Sequence, residues 1–366
     1  MKEGNNLSLR EVSVAPGKTL ILHGSASLTL LSGQVSVLGA PLPAGLKVRV
    51  RRWRTVPAFC VQASRFQLTL GEGSLVEEFE GNSIPQDWER AAETVLRRAE
   101  GGNTVAAVLG GVDVGKTTFT MFLANKALGF HPHPLKVNIV DSDPGQSDLG
   151  PPTTIGSCAL THLVYDLSFE NPDRLLFVGA TSPSQVQGKI LKAVSVLCRE
   201  SRGSFPLTVL NTDGWVDGED AQAYKLRLLQ AAEARCAVLL QGRETTGTLA
   251  EALEKEGLEL MRVKASPAVR RRTREERKEL RWQMYRKHLK TPAVKVLPLG
   301  KVKPPEAGFS LEKGSILGLY DAAERFLGLG VLKHVDWEKK TLKVLTSVDR
   351  PVEKVEVGQV FEDSAL

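Results

Sequence analysis

The 366 residues carry 42% hydrophobic and 25% charged side chains, the balance of an ordinary soluble globular chain with room for two or three domains. No run approaches the ~18 apolar residues of a membrane-spanning helix, the opening Met1-Lys2-Glu3-Gly4-Asn5-Asn6 has no apolar signal core, and the four cysteines stand far apart without a C-x-x-C pair. This excludes a membrane span, argues against a zinc site, and favours a reducing, cytoplasmic setting. The net charge of +6 is concentrated, because Arg262 to Lys290 holds 12 Lys/Arg against 3 Asp/Glu while the rest of the chain is at −3. One segment therefore faces a polyanion.

Residues 1–82 read as an all-β domain. Short alternating runs at 18–22, 26–31, 34–38, 46–53 and 66–70 are separated by Gly and Pro clusters, as in a small sandwich or barrel. His23 is isolated there and reads as structural. A boundary falls near Gly81-Asn82-Ser83-Ile84-Pro85, with Ser83 as the expected cap of a helix over 86–99. From 83 to 292 helices alternate with apolar strands, which predicts a doubly wound parallel sheet. Its strands are expected at 104–109, 135–140, 175–178, 207–210, 237–240 and 258–263. Helices are expected at 184–198, 219–232 and 248–256.

The first strand runs into Gly110-Gly111-Val112-Asp113-Val114-Gly115-Lys116-Thr117. This is G-x-x-x-x-G-K-[ST], a phosphate-binding loop placed between a buried strand and a helix. Its backbone N–H groups and the helix dipole attract phosphate. Lys116 reaches the β- and γ-phosphates, and the hydroxyl of Thr117, followed by Thr118, holds Mg²⁺. The next strand ends in Asp141-Ser142-Asp143-Pro144-Gly145-Gln146. Two carboxylates at i and i+2 share one side of an extended chain, so one serves a metal and the other accepts a proton. The hydroxyls of Thr153, Thr154 and Ser182 suit a phosphodiester, with plain turn hydroxyls as the alternative. Trp215 offers a stacking face for a base, with a core tryptophan as the alternative. The basic segment 266–290 starts like a helix with Pro267 at its first position, and Arg277 and Arg281 are i,i+4 neighbours on it. Residues 293–366 are again β-rich, with runs at 293–297, 315–320, 330–335 and 341–346. Tyr320 and Trp337 there read as packing residues.

A phosphate loop with Asp at its fourth position, then D-x-D-x-G-Q, Pro151-Pro152-Thr153-Thr154, Phe177-Val178-Gly179-Ala180-Thr181-Ser182-Pro183 and Asn211-Thr212-Asp213-Gly214-Trp215-Val216-Asp217-Gly218 follow one another in order. Together they resemble the RNA 5′-hydroxyl polynucleotide kinases, a family with a β domain on each side of its kinase core. Thr117-Thr118 stands where that family often has Ser-Thr. The resemblance implies an ATP-dependent kinase acting on the 5′-hydroxyl of single-stranded or end-exposed RNA, with DNA as a further acceptor. In this reading Asp143 is the base, and Mg²⁺ sits on Thr117 and Asp141. Gln146, Thr153, Thr154, Ser182 and Trp215 hold the acceptor. An arginine-bearing lid delivers Arg272, Arg277 or Arg281 to the migrating phosphoryl group. RNA-processing protein partners or a homo-oligomer belong to the same expectation. The rival reading is a non-catalytic, ATP-bound scaffold of an RNA-processing complex. A switch GTPase is disfavoured, because the chain has no N-K-x-D motif.

Overall fold

A computed structural model describes residues 7–129, 133–242, 247–304 and 308–360; Met1 to Asn6, read above for a signal core, lie outside the described residues. The N-terminal part is built from β1 (Ser8–Val14), β2 (Lys18–His23), β3 (Ala26–Ser32), β4 (Val35–Val37), β5 (Ala40–Pro41), β6 (Lys47–Val50), β7 (Thr55–Cys60), β8 (Ser64–Leu70) and β9 (Leu75–Glu80). They form two antiparallel sheets, β1-β8-β3-β6 and β5-β4-β7-β2-β9, which share a core containing Leu20, Leu28, Val37, Phe66 and Leu68. Four of these strands do not stand out in the sequence. β7 carries Pro57 inside a paired strand, a residue that argues against a central strand. β1 and β9 are mostly exposed edges without apolar alternation. His23 is structural as expected, held between Glu77 (3.0 Å) and the Thr55 hydroxyl (2.9 Å).

The central part follows as α1 (Gln86–Glu100), β10 (Thr104–Leu109), α2 (Lys116–Gly129), β11 (Val137–Asp141), β12 (Thr154–Leu160), β13 (Arg174–Phe177), α3 (Gln187–Ser201), β14 (Leu207–Asn211), α4 (Glu219–Ala232), β15 (Cys236–Gln241), α5 (Gly247–Lys255), β16 (Glu259–Lys264) and α6 (Arg274–His288). The sheet order is β13-β12-β11-β14-β10-β15-β16. Strand β10 is buried on both faces and alternates between them. Ala106 and Val108 join the core under α1 and α2, whereas Val105, Ala107 and Leu109 join the core under α3, α4 and α5. Two-sided burial explains why this strand is a continuous apolar run.

The sheet is not wholly parallel. β12 pairs antiparallel with both β11 and β13. A parallel neighbour needs a crossover of a dozen or more residues, usually through a helix. The segment from Ser142 to Thr153 contains no helix, so the chain leaves β11, forms a loop at its end, and returns beside it. Two helix starts also differ from expectation. The residue capping α1 is Pro85, with no side-chain cap, while the Ser83 amide donates to Thr19 and its carbonyl accepts from Ser266. Pro267 lies ahead of α6, which starts after Thr273. The Thr273 hydroxyl and the Glu276 carboxylate form a reciprocal capping box, and this local pair outweighs the proline.

The C-terminal part is one antiparallel sheet of β17 (Ala293–Pro298), β18 (Ser315–Tyr320), β19 (Phe326–Asp336), β20 (Thr341–Thr346) and β21 (Lys354–Val360), ordered β17-β20-β19-β18-β21. Tyr320 is buried with its hydroxyl on Glu356 at 3.0 Å, and Trp337 is exposed.

Asn125 fastens the N-terminal sandwich to the central sheet. Fully buried in α2, it donates to the carbonyls of Leu38 (3.0 Å) and Val164 (2.8 Å) and accepts from the Val164 amide (2.8 Å). Asn125→Ala leaves those backbone groups unpaired. Each such group costs about 1–3 kcal/mol, so chemical denaturation should show a loss of at least ~2 kcal/mol. An unchanged denaturation midpoint would show that water replaces these bonds without penalty.

Candidate active site

The carboxyl ends of β10, β11 and β14 open into one cleft of about 740 Å³, the edge at which open α/β sheets bind ligands. The phosphate loop forms one side. Gly110 and Gly115 take positive φ (144° and 97°), as does Asp113 (55°). Lys116 is buried, and its Nζ donates to the Gly111 carbonyl at 2.6 Å. Burial brings its ammonium down to about 8, against the opposing pull of Asp143.

Asp141 is fully buried at the end of β11. Its Oδ2 accepts from the Ser147 hydroxyl (2.9 Å) and the Asp148 amide (3.0 Å), and its Oδ1 from Asn211 Nδ2 (3.2 Å). Burial, with Asp143 and Asp148 adding to it, raises its pKa to about 7. Asn211 Nδ2 also reaches the Thr117 hydroxyl (3.3 Å), and Asn211 Oδ1 is buried without a partner. Thr117, Asp141 and Asn211 thus converge. Asp143 lines the cleft, with Oδ1 accepting from the amides of Gly145 and Gln146, each at 2.9 Å. Burial pushes its carboxyl upward, and the nearby Asp213 charge adds to that.

The loop after β14 forms the far wall. Asp213 Oδ1 accepts from the Trp215 amide (2.9 Å) and from the fully buried Lys225 (2.8 Å), and Oδ2 accepts from the Tyr224 hydroxyl (3.0 Å). Trp215 is half-buried and stacks on Tyr224 at 5.5 Å, and it also lines the cleft. It thus packs against Tyr224 and also borders the cleft. Gly214 sits against the phosphate loop, where a Cβ would meet Val112 Cγ2 at 2.7 Å and its backbone at 3.0 Å, so a side chain there would push the two walls apart.

The basic segment closes the cleft. Arg272 and Arg277 both reach Asp113, with Arg272 Nε at 2.7 Å, its amide at 3.0 Å and Arg277 Nη1 at 3.2 Å. Arg277 also donates to the Arg272 carbonyl at 2.6 Å. Arg281, one turn further on, lines the cleft beside Gln146 and Ser182. Two expected acceptor contacts are absent. Thr153 and Thr154 are fully buried and do not line the cleft. Thr154 starts β12 and turns its hydroxyl back to the Pro151 carbonyl at 2.6 Å, because the antiparallel return draws both residues under the sheet.

Sequence reasoning missed three groups. Arg54, from the turn before β7, lines the cleft and ion-pairs with Asp148, which Arg51 also contacts at 3.0 Å. Lys225 and Tyr224 stand behind Asp213. An arginine-rich turn at 51–54 and a lysine inside a helix were the available signals, but nothing in the sequence assigns their partners.

Residues 110–291 match the model of the family described as the mRNA cleavage and polyadenylation factor CLP1 P-loop. The P-loop core of the chain belongs to this family. Among curated relatives, a polyribonucleotide 5′-hydroxyl-kinase of Methanocaldococcus jannaschii is 26% identical over 348 residues, covering 78% of this chain and 91% of that protein. One of Thermococcus kodakarensis is 34% identical over 190 residues, half of each chain. In fold, the chain is similar to Clp1p solved in complex with Pcf11p residues 454–563, with a TM-score of 0.77, 14% identity, and coverage of 97% and 98%. This CLP1-like arrangement accounts for the mixed sheet flanked by β-rich parts.

The lowered Lys116 value gives a signed expectation. Phosphate binding favours the charged ammonium, which predominates below pH 8 and is lost as pH rises through it. The ATP dissociation constant, read by fluorescence titration, should be flat from pH 6.5 to 7.5 and rise by up to about tenfold per unit above 8. Lys116→Arg, charged throughout, should remove the rise. A wild-type profile flat to pH 9.5 would mean the ammonium stays charged in the free protein.

Proposed function

We propose that this protein is a polynucleotide 5′-hydroxyl kinase, transferring the γ-phosphoryl group of ATP to the 5′-hydroxyl of RNA. One observation carries the reading: a phosphate loop, a fixed carboxylate (Asp143) and an aromatic face (Trp215) line the same cleft, and the named relatives are kinases of this kind. The triphosphate lies along residues 110–118, its γ-phosphate toward Asp143. Its base fits the smaller hollow on the other side of the loop, where Trp53 and Met121 face Arg54 and Arg270. There the Trp53 indole N–H is buried without a partner.

The residues also fit Mg²⁺. A hydroxyl (Thr117) and a carboxylate (Asp141), bridged by the Asn211 side-chain amide, offer oxygen ligands of the kind a hard cation takes. Among the described residues no group of three or more His, Cys, Asp or Glu is placed to hold a metal. A Mg²⁺ ion on Thr117 and Asp141 would be completed by substrate phosphates and water. When bound, such an ion neutralises charge on the phosphates.

Asp143 accepts the proton of the 5′-hydroxyl as the oxygen attacks the γ-phosphorus. The new O–P bond forms while the bond to the β–γ bridging oxygen breaks, and ADP leaves. The two amides on Asp143 Oδ1 fix the carboxylate plane, and the raised pKa makes it a stronger base. Lys116 leaves the Gly111 carbonyl for the phosphates. Trp215 stacks on the first base, and Gln146 and Ser182 border the ribose and its phosphate. Arg281 faces the transfer zone directly, whereas Arg272 and Arg277 are placed by Asp113.

The purified protein with Mg²⁺-ATP should label 5′-hydroxyl RNA, and a parallel DNA acceptor reports discrimination at the 2′-hydroxyl. Bound but unconsumed ATP across many acceptor equivalents would make the protein a scaffold instead. Asp143→Asn should lower kcat by about 10²–10⁴ with ATP affinity largely kept, the range of general-base catalysis. Equal losses in affinity and rate would reassign Asp143 to nucleotide binding. Asp113→Asn should release both lid arginines and lower kcat by about 10²-fold, the cost of misplacing catalytic groups by ~1 Å. Wild-type turnover in that variant would show that phosphates alone organise the lid.

A further inference from the structure

A second cavity of about 500 Å³ opens directly from the acceptor side of the cleft and shares Thr181, Ser182 and Arg281 with it. Besides the segment holding Thr181, Ser182 and Gln185, its walls come from two parts of the chain. One is a single face of α6, where Arg274, Lys278 and Arg281 recur at i, i+4 and i+7. The other is the last strand, through Gln359. Three cations line this cavity and no carboxylate does. Of the three acidic residues of α6, Glu276 is engaged in the capping box and on Arg270 at 2.7 Å and Glu279 on Gln283 at 3.4 Å, while Glu275 acts on Arg274 from outside the cavity lining.

The floor is held by the C-terminal sheet. Gln359 Oε1 accepts from the Thr181 amide (2.9 Å) and hydroxyl (3.2 Å), and the Gln359 amide donates to the Gly179 carbonyl (2.7 Å). β21 thus fixes the segment that separates the two cavities. The buried rings of Trp282 and Tyr285 back the inner end, giving a cationic hollow of the kind that tracks the backbone of a single strand.

We infer that this hollow is a binding subsite for the second nucleotide of the acceptor and its 3′ phosphate. The C-terminal sheet, through Gln359, then serves as one side of the acceptor groove. The inference rests on the kinase reading above and deepens it. The first nucleotide occupies the Trp215 end, its 3′ phosphate passes Ser182, and the following residue meets Lys278 and Arg274. The ligand class is a single-stranded oligonucleotide of at least two residues. The carboxylate-free lining excludes a cationic peptide.

The experiment compares three 5′-hydroxyl acceptors in the full-length protein: adenosine 3′-monophosphate, the 3′-phosphorylated dinucleotide ApAp, and an RNA decamer. Wild-type KM should fall by about tenfold or more from the mononucleotide to ApAp, the worth of one charge-assisted contact, and less from ApAp to the decamer. Lys278→Gln should raise KM for ApAp and the decamer by about tenfold. It should leave the mononucleotide KM and kcat for every acceptor unchanged, and it should shallow the salt dependence of decamer binding by close to one charge. Gln359→Ala should raise KM for the same two acceptors, and Gln359→Glu should raise it further by placing a carboxylate in the groove. No fall in KM between the mononucleotide and ApAp would overturn the subsite. So would a Lys278→Gln effect equal for all three acceptors. A wild-type protein that labels none of the three overturns the kinase reading itself, a result distinct from either.

Discussion

A site for a polyanion has to be stable without its polyanion, and the cleft is built around that constraint. Cations crowded at one sheet edge repel each other and lose hydration. Each of the main ones is therefore given a partner from the protein. Lys116 turns onto the Gly111 carbonyl, Arg272 and Arg277 share Asp113, Arg54 takes Asp148, and Lys225 takes Asp213. The carboxylates that look like an acidic active-site cluster are thus mostly counterions. Asp143 differs: two backbone amides hold it, and burial leaves it basic.

The parts of this arrangement legible in the sequence are contiguous ones. The phosphate loop, the D-x-D pair and the Asn211–Gly218 stretch lie at strand ends, where a short motif and the strand before it decide the geometry together. Tertiary pairing is what escaped. Arg54 and Asp148 are 94 residues apart, and Asp113 and Arg272 are 159 apart. No local pattern links them. The reversal of β12 escaped because its seven residues, Thr-Ile-Gly-Ser-Cys-Ala-Leu, contain small and polar side chains that do not alternate like an exposed antiparallel strand. They are almost wholly buried instead. That reversal also decided the fate of Thr153 and Thr154, whose hydroxyls looked available only as long as the segment was read as a loop. At the lid, Thr273-x-x-Glu276 was a readable capping box, but Pro267 offered a competing start.

The reversal has a functional consequence. A helical crossover after β11 would carry the chain away from the cleft. The non-helical return instead keeps Asp143, Gln146 and Asp148 in one loop, tied to the sheet by Ser147 and Asp141. Asp148 then meets Arg51 and Arg54 from the N-terminal sandwich, so the small β part at the front of the chain helps to shape the central site. The C-terminal sheet does the same from the other side through Gln359.

The two kinds of ion pair in the cleft differ in what they allow. Lys225 and Asp213 are 0% and 3% exposed, and breaking a pair so buried by removing one partner costs about 3–5 kcal/mol. It behaves as permanent framework behind Trp215. Arg272 and Arg277 are 17% and 29% exposed and divide one carboxylate between them. A single negative charge shared by two guanidiniums is an underpaid partner beside a triphosphate bearing several. Asp113, inside the phosphate loop itself, holds both guanidiniums within reach of that loop. Under the kinase reading proposed above this contact is their resting point, and because binding couplings are reciprocal, whatever free energy a nucleotide gains from drawing them inward would return as tighter nucleotide binding.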